Sequence, residues 1–123
     1  DTNYYLNPAS SSVLGGASFA SSISITGTVT ASSDVVAYSD KRLKTDIKTL
    51  DGSKVYDMRG VSFTKEDKKG SGVIAQELEK IAPELVNDDN EYKAVAYGNI
   101  TGYLIEAIKD LKAEVEELKK QIK

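Results

Sequence analysis

Ser39-Asp40-Lys41-Arg42-Leu43-Lys44 divides this chain into two unlike parts. The residues before it carry two charges, Asp1 and Asp34, and are mostly Ser, Thr, Ala, Gly and Asn. Residues 39–123 are dense in Lys, Asp and Glu. A composition shift this sharp marks a boundary between modules. The expected fold class is α+β. A short β-rich segment, 1–38, comes first. A small mixed α/β domain, 39–123, follows and ends in a long C-terminal helix over 98–123.

At 123 residues the chain has the length of one ordinary domain. A domain below about 100 residues is often marginal alone and gains from oligomerisation. Cysteine and histidine are both absent. That removes disulfides, thiolate metal sites, His-based triads and most zinc chemistry, so no metal site is expected. Acid–base work falls to Lys, Asp, Glu, Tyr or a hydroxyl. Net charge is −3, with no basic patch interleaved with aromatics, so nucleic acid is not an expected partner. No apolar run approaches the roughly 18 residues of a membrane span, so no membrane partner is expected. No basic start precedes an apolar stretch, so no secretory signal is expected. There is no phosphate-cradling Gly-rich loop, so no nucleotide or other cofactor is expected.

Within 1–38, Ile23-Ser24-Ile25-Thr26 alternates as a strand does, and Thr28-Val29-Thr30 continues after Gly27. Val13-Leu14 precedes the turn signal Gly15-Gly16. Two readings stand: a flexible Ser-rich linker, or β-structure that buries a core only when several chains wrap together. Val35-Val36-Ala37-Tyr38 reads as a short strand leading into the boundary.

Leu43, Ile47 and Leu50 fall at i, i+4 and i+7, which predicts a helix ended by Asp51-Gly52. Lys54-Val55-Tyr56 reads as a strand and Val61 to Thr64 as another, with a charged turn over Lys65 to Gly70. A helix is predicted from Ala75 to Ile81, stopped before Pro83, with Leu78 and Ile81 facing inward. Glu77 and Glu79 read as solvated. Asn87-Asp88-Asp89-Asn90 superficially suggests a calcium loop but lacks the spacing of one. It reads as a hairpin turn, with Tyr92 to Tyr97 returning as a strand.

Asn99 is placed to cap the last helix. Along that helix Leu104, Ile108, Leu111, Val115, Leu118 and Ile122 step by four and three, a heptad seam with Leu at d and Ile or Val at a. Glu114 at g and Lys119 at the next e suit pairing between parallel chains. The rest of the domain is too small to cover so long a helix, so association of chains is expected here. The a/d residues alone lean towards two strands.

Taken alone, Ser39-Asp40 reads as a helix cap and Lys44 as a solvated lysine. Wider blocks change that. Ser39 to Ile47 (SDKRLKTDI), Gly72 to Leu78 (GVIAQEL) followed by Pro83-Glu84-Leu85-Val86, and Tyr97 with Tyr103 to Leu111 (YLIEAIKDL) together resemble the intramolecular chaperone auto-processing domain, peptidase family S74. Asp1 to Leu14 (DTNYYLNPASSSVL) resembles stretches found just upstream of C-terminal domains in phage tail fibres, which implies that 1–38 is the C-terminal end of a fibre or spike shaft. The resemblance implies a parallel homotrimer held by the seam residues at the end of a phage tail fibre, tailspike or neck appendage, and partnership in cis with the upstream shaft. It also implies single-turnover autoproteolysis by a Ser–Lys dyad. Ser39 is then the nucleophile, Lys44 the base and Tyr38–Ser39 the scissile bond. Asp40, Arg42 and Gln76 are candidates for supporting roles. Five positions separate Ser39 and Lys44, so neither a regular helix nor a strand pairs them, and a turn near Lys41-Arg42 is required. Assembly would occur in the bacterial host cytoplasm, with the fibre remaining in the virion tail and the chaperone released. The rival readings are a structural or receptor-binding tip that never cuts, and the same domain in a membrane-bound transcription factor.

Overall fold

The structure is a computed structural model, and it describes residues 15–122. The chain forms two units, 1–40 and 41–123.

In the first unit, the described residues contain no strand, and every one of them is exposed. Phe19, Ile23, Ile25 and Val29 leave more than half of their surface to water, and Val35, Val36 and Tyr38 more than four-fifths. The alternation over 23–30 and the expected strand at 35–38 therefore form no ladder in a single chain. Lone β-segments find no partner for their backbone groups or apolar face. The Val13-Leu14 reading and the stretch 1–14 lie outside the described residues.

The second unit is mixed α/β with small antiparallel sheets and a long final helix. Its order is a 3-10 turn at Lys41–Leu43, a 3-10 helix at Gly52–Asp57, β1 (Val61–Lys65), β2 (Lys68–Gly72), α1 (Ala75–Ile81), a 3-10 turn at Pro83–Leu85, β3 (Val86–Asn87), β4 (Ala94–Val95), a 3-10 turn at Tyr97–Asn99, and α2 (Ile100–Gln121). β1 pairs with β2 and β3 with β4, both antiparallel.

Leu78, Ala82, Leu85 and Tyr103 form the core, with Val55, Met58, Val73, Val86, Val95 and Ile100 packed against it. α1 has the predicted bounds. Its Leu78 is buried, while Ile81 is half-buried. Ala82, the next residue, is fully covered.

Several local readings are corrected. The helix expected across Leu43, Ile47 and Leu50 does not form. Asp46 sits at φ 53, which breaks helical geometry, and Leu43 and Ile47 are 68% and 64% exposed, so no apolar contact rewards the spacing. Lys54-Val55-Tyr56 is helical rather than extended. Asp51 starts that element instead of ending one: its carboxylate accepts from the Ser53 N–H at 3.0 Å and the Ser53 hydroxyl at 2.6 Å, a side-chain cap. Lys68 to Gly70 belongs to β2, and the turn is only Glu66-Asp67, at φ 50 and 65. Two positive φ values fit a tight two-residue hairpin loop. Asn99 stands at the start of α2 but makes no side-chain cap.

β3 and β4 form a hairpin, with a loop over 88–93 that is longer than the expected turn at 87–90. The Asn87 side chain accepts from the Asp89 N–H at 2.9 Å, an Asx turn. The returning strand is shorter than expected, because Tyr97 already begins a helical turn.

Candidate functional site

Tyr38, on the N-terminal side of the predicted scissile bond, is 96% exposed within its unit. Ser39 and Asp40 close that unit and are exposed. The second unit opens with a 3-10 turn at Lys41–Leu43, closed by the Lys44 N–H donating to the Lys41 carbonyl at 3.1 Å. A turn therefore lies in the stretch between Ser39 and Lys44. It gathers Lys41, Arg42 and Lys44 into a single turn. Lys44 is followed by an irregular exposed run to Leu50.

Gln76 lies elsewhere, exposed in the first turn of α1. It lines an open groove of about 580 Å³ with Phe63, Val73, Tyr92, Val95 and Tyr97. The side chains around Gln76 are ordered by ion pairs that sequence reasoning missed. Glu77 accepts from both Arg59 Nε at 3.0 Å and Arg59 Nη2 at 2.6 Å. That guanidinium hydrogen bond holds the Glu77 carboxyl below its ordinary range. Lys93 bridges Glu79 at 2.9 Å and Asp88 at 3.1 Å, and bonds to those carboxylates raise its pKa. The sequence alone suggests two solvated glutamates, yet each holds a cation. Their partners are 14 and 18 positions away in sequence, beyond what local spacing shows.

The candidate association surface is on α2, which has two apolar faces. Tyr103 and Ala107 are buried against the domain, and Ile100 joins them. Tyr103 donates from its hydroxyl to Glu84, in the turn after α1. The seam residues lie on the other face: Leu104, Ile108, Leu111, Val115, Leu118 and Ile122 are each between 42% and 80% exposed. From Ile108 to Ile122 every residue is exposed, so nearly two-thirds of α2 buries no residue among the described part of the chain.

Residues 39–87 match the sequence model of a family described as chaperone of endosialidase, peptidase S74. The long tail fiber protein Gp37 of Enterobacteria phage Ox2 is 34% identical over 102 residues, which cover 71% of this chain and 41% of that protein. Its counterpart in Enterobacteria phage M1 is 34% identical over 101 residues, covering 70% and 40%. The match thus spans about two-fifths of the length of these relatives. No helix among the described residues is long and apolar enough to cross a membrane.

Proposed function

This chain carries a domain of the chaperone-of-endosialidase family, and on that premise we propose that residues 39–123 assemble three copies of a phage tail fibre end and then detach by cutting the Tyr38–Ser39 bond. The observation that carries the assembly step is the exposed seam of α2. Burying a Leu, Ile or Val side chain is worth about 1.5–3 kcal/mol. Six of them per chain represent roughly 10 kcal/mol gross, comparable with the cost of association. An isolated helical stretch as short as the Ile108–Gln121 tail is marginal in water, so a coiled coil with neighbouring copies explains its persistence. The a/d pattern leans to two strands, while the resemblance implies three, and we follow the latter.

Assembly in cis addresses a kinetic difficulty. Strands with distant partners pair slowly and expose edges meanwhile. A trimeriser fused at the C-terminus raises the local concentration of the shaft segments. The exposed apolar residues of the 15–38 stretch supply segments that need such help. The fibre names of the relatives support a place in a virion tail, reached after assembly in the host cytoplasm.

In the cutting step, neutral Lys44 removes the proton from the Ser39 hydroxyl, and the oxygen adds to the Tyr38 carbonyl carbon. The carbon–nitrogen bond breaks, the Lys44 ammonium returns its proton to the Ser39 nitrogen, and an ester joins Tyr38 to Ser39. Water then cleaves the ester, leaving a Tyr38 carboxylate and a new N-terminus at Ser39. A serine hydroxyl needs such a base to act. Arg42 shares the turn that the Lys44 N–H closes and is a supporting candidate. Asp40 and Gln76 are the others, Gln76 as an oxyanion donor.

A denaturing gel of the purified trimer tests the reading. The parent chain is expected to yield a fragment whose first residue is Ser39, and Ser39→Ala or Lys44→Ala to remain whole. An intact parent chain within a stable trimer would instead identify a structural tip that does not cut.

A further inference from the structure

The domain covers one side of α2. Gly52 is buried, and a Cβ there would collide with the backbone of Glu106 and Ala107, so the chain is clamped against the helix at this point. Leu50 Cδ1 lies 3.1 Å from where a Cβ on Gly102 would sit. The Tyr56 hydroxyl donates to the Ala107 carbonyl at 3.4 Å. Ile105 stands apart from this side. It is two positions from both Tyr103 and Ala107, so it projects about 160° around the helix from each. It is 52% exposed. Nor does it belong to the seam, because Leu104 and Ile108 take the d and a positions and Ile105 takes e. Lys112 and Lys119 hold the following e positions, so the apolar residue at 105 breaks the pattern of that flank.

In a parallel coiled coil the residue at e meets the preceding g residue of the next helix. Glu114 and Lys119 stand in that relation, and so do Ile100 and Ile105. The g side is the side that the domain covers: Ala107 is buried there, and Ile100 is half-buried against the core. The flank therefore changes along the helix, apolar beside the domain and oppositely charged beyond it. Within its own chain Lys119 approaches Glu116 at 3.9 Å, with both side chains more than half exposed, a pair weak enough to yield. Opposite charges at one end and matched isoleucines at the other fit a second copy of this chain, parallel and in register.

We propose that Ile105 packs on Ile100 of the next copy, at the edge of that copy's domain, and that this flank contact selects three helices over two. It rests on the reading of α2 as the helix that assembles the trimer. A stripe confined to a and d is the narrow seam of a coiled coil, whereas a stripe widened to e or g is the face of a helix in a larger bundle. The a/d residues lean to two strands. Ile100 and Ile105 widen the stripe in the first turns of α2, where Thr101 leaves the first a position polar.

The chain has no cysteine, so an introduced thiol reports on its own site alone. Ile105→Cys keeps a small apolar side chain at the contact. Its alkylation by iodoacetamide is expected to be roughly tenfold slower in the assembled protein than in the same variant carrying Leu111→Asp and Leu118→Asp, because a covered thiol reacts slowly. Ala113→Cys, at an exposed f position, is expected to react equally in both. By light scattering, Ile105→Lys is expected to lower the particle from three chains to two, and Ile105→Leu to keep three. Equal alkylation of Ile105→Cys in the two backgrounds overturns the proposal, whether the thiol is open in both or covered in both by its own chain. Three chains per particle in Ile105→Lys overturns it as well. A parent chain that forms particles of one or two copies would overturn the trimer reading itself, and this proposal with it.

Discussion

The Tyr103 hydroxyl donates to the Glu84 carboxylate, which ties α2 to the turn that follows α1. Burial, and then this hydrogen bond, push the Tyr103 phenol up to about 12. The same bond holds the Glu84 carboxyl below its ordinary range. A hydrogen bond to a charged partner is worth about 1.5–3 kcal/mol when buried. Glu84 is exposed, so Tyr103→Phe is expected to cost about 1 kcal/mol at pH 7, read from urea unfolding.

The sign of the pH dependence follows. Tyr103 ionises at higher pH in the folded chain than in the unfolded chain, where the reference is about 10. Its contribution is full below pH 10 and is lost as pH rises towards about 12. Glu84 has the opposite shift. Its contribution is full above its unfolded value of about 4.3 and is lost as pH falls through the lower folded value. The stability gap between the parent chain and Tyr103→Phe should be flat from pH 6 to 9 and should narrow at both extremes. A gap that holds steady to pH 12 would contradict the assignment.

Removing the seam should separate assembly from folding. Leu111→Asp with Leu118→Asp is expected to yield a monomer by light scattering, because both residues are more than half exposed within one chain and a buried charge in a coiled coil is costly. Helical circular dichroism should fall by the share of α2 beyond Ile108. The core should survive, since Leu78, Leu85 and Tyr103 do not take part in the seam.

The core itself is small. Leu78→Ala removes one of its four buried members. Such truncations cost about 2–5 kcal/mol, a large part of the 5–15 kcal/mol that a typical domain holds. Loss of a cooperative thermal transition at 37 °C is the expected result, and an unchanged melting temperature would show that the trimer carries most of the stability.

Arg59→Ala should matter little. The Arg59–Glu77 pair has bidentate geometry, but its side chains are 65% and 42% exposed. Exposed pairs contribute about 0–1 kcal/mol. A loss below about 1 kcal/mol, smaller still in high salt, is expected by denaturant titration.

Sequence patterning was most informative where one chain buries what the pattern promises. α1 was legible to the residue because Leu78 faces a core and Pro83 stops the helix. α2 was legible from its periodicity, although the seam that revealed it is not the face its own domain covers. Tyr103 and Ala107 carry that contact, and an alanine beside a tyrosine gives little periodic signal. The Leu43–Ile47–Leu50 spacing misled because Leu43 and Ile47 stay exposed, only Leu50 meets α2, and Asp46 turns the chain. The β1–β2 hairpin was blurred because its turn is Glu66-Asp67 rather than a glycine pair, so a run of charges concealed a strand. The turn at Lys41–Leu43 was inferred from the spacing of Ser39 and Lys44. The clamp at Gly52 was not, since a glycine next to an aspartate reads as a loop whether or not a helix passes beneath it.

The two faces of α2 also set an order of events. Tyr103 and Leu104 are neighbours, yet one completes the interior of its own chain and the other waits in solvent. The small core of each copy can therefore form before that copy meets another, while the outer part of α2 waits for the seam to close. The early folding phase should run at a rate independent of concentration, and only the later one should speed up as chains become more abundant.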